Sequence, residues 1–173
     1  MKKFIKKASF CICLFMSVLV CNSIFGNTTQ TWAATPAQPI SSFEITSYSD
    51  GTYTPQYDRN EVGTIKQENF PLIVNTYQFG YGHIEEVYVD GKLIPKVRTV
   101  DEFYSRGEKE PVFVEAQEQG YVGPEGGIVA WARVVGVSTL SKGQHTVKFV
   151  CDTRAYSSMT YRKISDSITI NVE

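Results

Sequence analysis

The chain of 173 residues is poor in the side chains that build most catalytic and metal centres, with two histidines, four cysteines and two tryptophans. Zinc sites draw three or four ligands from His, Cys and carboxylates at recognisable spacing. The one cluster of that kind is His83-Ile84-Glu85-Glu86. Strand alternation puts His83 and Glu85 on one face but names no third ligand, so a solvated strand edge is expected there and no metal. Regular Asp-x-Asp-x-Asp-Gly calcium loops are missing, and Asp50-Gly51, Asp58 and Asp90-Gly91 read as turns. Gly-x-Ser-x-Gly and the phosphate-loop glycine patterns are missing too, and no cofactor is implied.

Charge is also scarce, at 20% of residues. The first 33 residues carry Lys2, Lys3, Lys6 and Lys7 and no acid; the remaining 140 carry 13 basic and 18 acidic side chains. A net charge of −5 in that remainder disfavours nucleic acid, whose phosphates need clustered Lys and Arg. The basic start, the apolar run Ala8–Val20, the polar stretch Asn22–Gln30 and Thr31-Trp32-Ala33 have the layout of a secretory signal peptide, residues 1–33, cleaved after Ala33. The apolar run is shorter than the ~20 residues a spanning helix needs, so no membrane attachment is expected after cleavage. The alternative is a lipoprotein at Cys21, but Val20 stands where lipid attachment wants a small residue. Cleavage removes Cys11, Cys13 and Cys21, leaving Cys151 and no intramolecular disulfide.

What remains is rich in Val, Ile, Thr, Tyr and Phe, in short runs punctuated by Gly, Pro, Asp and Asn. Residues 34–41 (ATPAQPIS) read as a flexible leader, and 42–173 as one domain. Strands are predicted at Ser42–Ser49, Gly63–Gln67, Pro71–Phe79, Glu85–Asp90, Lys92–Thr99, Pro111–Ala116, Ile128–Val137, Gln144–Asp152 and Ser165–Val172. The only plausible helical turn is Val100–Arg106, because no window sustains a 3.6-residue apolar stripe. Asp90-Gly91 between apolar runs marks a tight hairpin. Phe79-Gly80-Tyr81-Gly82 reads as a strand-ending turn, and Asp101–Gly127 as a long, turn-rich segment. The pattern predicts an all-β, antiparallel, Greek-key sandwich of about seven to nine strands with little helix.

Val87–Ile94 (VYVDGKLI), Leu140–Asp152 (LSKGQHTVKFVCD) and Ser165–Val172 (SDSITINV) resemble the second half of bacterial immunoglobulin-like domains. The signal peptide, the SSFEITSYSD opening, the central YQFGYG and the terminal strand are together similar to the small secreted YolA-like proteins, a family without an assigned reaction. The first resemblance implies a sandwich and the second a secreted protein; neither implies a chemistry.

Among candidate residues, His145 and Cys151 lie on one strand about 20 Å apart and cannot pair. Cys151 is expected to pack with Val147 and Phe149 as a small hydrophobe. Ten tyrosines stand out, each a flat apolar face with a polar tip. Tyr53, Tyr57, Tyr81, Tyr104 and Tyr121 are the candidate binding surface, set against the plainer reading that tyrosines serve cross-strand packing. The expectation is a secreted, non-enzymatic binding module for a glycan or an extracellular protein, its oligomeric state open. The alternative is a small hydrolase using Glu85 and Glu86, because glycoside hydrolysis needs two carboxylates across a cleft.

Overall fold

The computed structural model describes residues 37–50, 56–66, 71–124, 126–138 and 140–173. The strands are β1 (Ser42–Ser49), β2 (Tyr57–Asp58), β3 (Thr64–Ile65), β4 (Leu72–Phe79), β5 (His83–Val89), β6 (Lys92–Ile94), β7 (Lys96–Val97), β8 (Phe113–Val122), β9 (Ile128–Val137), β10 (Gly143–Asp152) and β11 (Lys163–Val172). One helix, α1 (Val100–Gly107), lies between β7 and β8. Two sheets form, ordered β2-β1-β4-β9-β8-β7 and β3-β11-β10-β5-β6. They pack as the all-β sandwich that the alternating runs predict.

The pairing is antiparallel through the body of each sheet, but β7 runs parallel to β8 and β3 parallel to β11. The end strands of both sheets are two or three residues long: the predicted Gly63–Gln67 shortens to β3, the predicted Lys92–Thr99 divides into β6 and β7, and β2 is too short to show alternation in the sequence. These edges raise the strand count among the described residues above the expected seven to nine. Asp101–Gly127 is also more ordered than its composition implies, since it holds most of α1 and all of β8. Thr99 caps α1 by accepting from the Glu102 N–H at 3.1 Å, and Arg106 in the last turn pairs with Glu102 and Glu110.

The main core lies between the sheets: Phe43, Ile45, Leu72, Val74, Phe113, Val135 and Val137 from one, Ile84, Val87, Val147, Phe149, Ile168 and Ile170 from the other. A bulge between Ile45 and Ser47 changes the parity of β1, which turns Tyr48 inward after Phe43 and Ile45. A second, smaller core lies on the outer face of the six-stranded sheet. There α1 lays Phe103 over Ile73, Val97, Val112, Val114 and Val134.

The described part of the expected flexible leader is docked instead. Ile40 is fully buried, the Ile40 N–H donates to the Tyr81 carbonyl at 3.0 Å, and the Tyr81 N–H to the Gln38 carbonyl at 2.8 Å. Gly80 permits this approach: it has φ +82°, and a Cβ there would lie 2.5 Å from the Pro39 carbonyl oxygen. Pro39 and the polar residues around Ile40 conceal that apolar anchor in the sequence. Asp90-Gly91 makes the expected tight turn, with φ 50° and 79°.

Candidate binding face

The outer face of the six-stranded sheet has two halves. Where α1 ends its cover, β4 presents Tyr77 and Phe79, β9 presents Ala130 and Ala132, and β8 presents Gln119 and Tyr121. Register sets the rows: Phe79, Ala130 and Tyr121 stand side by side, as do Tyr77, Ala132 and Gln119. Strands two apart in a sheet are about 9.6 Å apart, so rings on β4 and β8 meet only if the strand between carries small side chains. The alanines meet that condition. Tyr77 and Tyr121 come to 5.9 Å between ring centroids, Tyr77 and Phe79 to 5.4 Å edge-to-face, and Phe79 remains 47% exposed. Glu44 on β1 is paired with Tyr77 in register. Burial, then the Glu44 charge, push the Tyr77 hydroxyl pKa above its ordinary value, so the ring keeps a neutral polar tip.

Of the four described tyrosines among the five singled out from the sequence, only Tyr121 stands on this patch. Tyr53 lies outside the described residues. Tyr57 packs on buried Tyr48 at 5.4 Å and donates to the Thr64 carbonyl at 3.0 Å. Tyr104 packs against the core beneath α1. Tyr81 touches Trp131 and Tyr156 edge-on, at 5.9 and 5.4 Å. Tyr77 and Phe79 have no signal of their own in the sequence, because strand patterning cannot tell which part of a face a helix leaves open.

Glu85 and Glu86 diverge. Glu86 receives Lys163 at 2.8 Å, Tyr88 at 2.7 Å and Arg154 at 2.9 Å, which hold its carboxyl at about 2. Such a group stays ionised and cannot serve as a proton donor near neutral pH. Glu85 instead reaches toward Lys96, at 3.9 Å.

Between the sheets, Arg133 is 1% exposed, an unexpected charge on the inner parity of β9 with Val135 and Val137. Its guanidinium meets Gln78 and Glu115 at close range, Glu118 at 3.4 Å, and the Trp131 ring at 5.3 Å. The sequence signal was available: one arginine interrupts an apolar run at core parity. Cys151 donates to Gln78 Oε1 at 3.0 Å, and burial pushes its thiol up to about 12, which suits a packed and unreactive group.

His83 Nδ1 is 3.6 Å from Glu115, and its Nε2 is 2.9 Å from the Tyr156 hydroxyl, with the two rings stacked. Glu118 joins them, so three potential metal-ligand atoms lie within 4.8 Å of one another; Glu115 and Glu118 take the place of the Glu85 that strand alternation puts beside His83. The electrostatics oppose a cation. Burial pushes the Glu115 carboxyl up, but the His83 hydrogen bond and the charges of Arg133 and Lys96, which already sit on it, more than reverse that and leave it below its ordinary value.

A Ser141–His145–Asp90 chain also occurs, with 3.3 Å from Ser141 Oγ to His145 Nε2 and 2.6 Å from His145 Nδ1 to Asp90. His145 Nε2 is closer still to the Ser141 carbonyl, at 2.8 Å, and a carbonyl requires a donor. The imidazole thus ties the Ser141 turn to the Asp90 turn. No family model, curated protein or solved structure matches the chain.

Proposed function

We propose that the chain is an exported, non-enzymatic binding module of immunoglobulin-like type that holds a glycan on Tyr77, Phe79 and Tyr121. One observation carries this reading: Tyr77 meets both Phe79 and Tyr121 on a sheet face that α1 leaves open, over alanines. Pyranose rings present apolar C–H faces that lie on aromatic planes, while their hydroxyls seek amide and carboxylate partners. Gln119 and Glu44 flank Tyr77 in register and provide such partners. The basic and apolar start of the chain supports export.

Affinity electrophoresis and calorimetry against a polysaccharide panel test the reading. Phe79→Ala and Tyr121→Ala should each weaken association about tenfold or more, roughly 1.4 kcal/mol, with circular dichroism unchanged. Retention of no polysaccharide, or variants that bind like the parent, would overturn it. Capture of a protein through the same rings would reassign the ligand class.

A further inference from the structure

The aromatic patch does not end at Phe79. Phe79 also lines a cleft of about 350 Å³, together with Gln38, Ser41, Gly80, Val129 and Arg162 among others. The volume lies within the range of small-ligand sites. Three separate constraints shape the cleft. Gly80 lets the docked segment before β1 approach, because a Cβ there would strike the Pro39 backbone. The Ser41 N–H donates to the Phe79 carbonyl at 2.9 Å, and the Gly80 N–H to the Val129 carbonyl at 2.8 Å, closing the wall between β4 and β9. Arg162 is held at the backbone on both sides by buried Thr153: its carbonyl accepts from the Thr153 N–H at 3.1 Å, and its N–H donates to Thr153 Oγ1 at 2.8 Å.

Arg162 is the charged residue among those lining this cleft. Among the described residues no carboxylate forms an ion pair with it or with Arg98, whereas Arg59, Arg106, Arg133 and Arg154 each have one. An arginine fork that is fixed at its backbone, exposed and without an anion matches a planar carboxylate. The patch is therefore polar along its length. Glu44 stands in the Tyr77 row and Arg162 lies beyond the Phe79 row. An acidic group on a ligand is repelled at the first end and attracted at the second.

We infer that the ligand is an acidic polysaccharide of uronate type, with pyranose faces on Phe79, Tyr77 and Tyr121 and a carboxylate on Arg162. This rests on the glycan reading above and narrows it to a charge class. Gln38 and Ser41 are placed to take hydroxyls of the same sugar. A polymer with phosphate charge but no pyranose faces would gain the arginine and forgo the rings.

The probes are polygalacturonate, its methyl-esterified form and polyglycerol phosphate, each titrated into the mature protein. Esterification removes the charge and keeps the sugar faces. Polygalacturonate should bind about five- to tenfold more tightly than the ester, and the gap should narrow as salt rises. Arg162→Gln should close the gap while leaving ester binding intact, and Phe79→Ala should weaken both. Equal affinity for acid and ester, or a gap that survives Arg162→Gln, would overturn the uronate assignment while the glycan reading stands. Tighter binding of polyglycerol phosphate than of polygalacturonate would also overturn it, in favour of charge alone. Binding of none of the three, with the wider panel also silent, would overturn both readings.

Discussion

The two halves of the outer six-stranded face share the strands β4, β9 and β8 and differ in what covers them and in the side chains they present. β4 gives Ile73 to the covered half and Tyr77 and Phe79 to the open one; β8 gives Val114 and Tyr121; β9 gives Val134 and then Ala130 and Ala132. Under α1 the side chains are mainly aliphatic, and Phe103 is 1% exposed among them. In the open half they are aromatic and small. Aliphatic side chains gain from leaving water and need a lid, whereas tyrosine keeps its hydroxyl wet while its ring packs. One strand is thus covered scaffold at one end and, in the proposed reading, contact surface at the other.

The largest expected effect breaks the covered half. Phe103→Ala removes the centre of that small core and should destabilise the protein by about 3–5 kcal/mol in denaturant titrations. Glycan affinity of the remaining folded protein should stay near the parent value. Phe79→Ala should do the reverse, with stability within about 1 kcal/mol of the parent because the ring is half in water. If Phe103→Ala abolishes binding in a fully folded sample, the helix belongs to the binding surface and the division fails.

A turn remote from both halves gives a smaller effect and a control. Gly91 has φ +79°, and a Cβ there would meet nothing within 4 Å. Any loss in Gly91→Ala is therefore backbone strain without a clash, about 1–2 kcal/mol. The neighbouring Asp90 tolerates φ 50° and fastens the hairpin to β10, accepting from the Thr146 N–H at 2.9 Å. Unfolding should register the change and binding should not. A parent-like midpoint would mean that the hairpin relaxes to another turn type.

Alternation made most of the sandwich readable in advance. β1 and β9 run over the residues their patterns mark: β1 alternates because one face meets the core, and β9 is a mainly apolar run because both its faces are covered over Val134–Val137. β2 escaped because two residues carry no period; its pairing with β1 is a tertiary choice. β8 was cut short at Ala116, where a bulge between Glu115 and Gln117 interrupts the period and the following Gln, Glu and Gly read as loop. Those polar residues stay in a strand because Glu115 and Glu118 answer Arg133 inside. On the binding face, Tyr121 was legible as an aromatic near a turn, but Tyr77 and Phe79 became candidates only once the extent of helix cover was known.

The smallest expected effect lies on the opposite sheet and separates charge from ring contacts. Glu86 is held at about 2 by Lys163, Tyr88 and Arg154, against an ordinary 4.5. A carboxyl whose folded-state pKa is depressed adds stability that is complete above 4.5 and is lost as pH falls toward 2. Arg154 and Lys163 are largely in water, so this increment is modest and shrinks with added salt. Glu86→Gln should lower the neutral-pH midpoint slightly and flatten the stability profile between pH 4.5 and 2. Phe79→Ala should keep the parent's slope, because no titrating group is removed with that ring. Were the Glu86→Gln profile as steep as the parent's, the acid response would lie with other carboxylates. The buried pairing of Glu115 with Arg133 would then be the first to replace, and the two sheets would differ in charge burial more than in their surfaces.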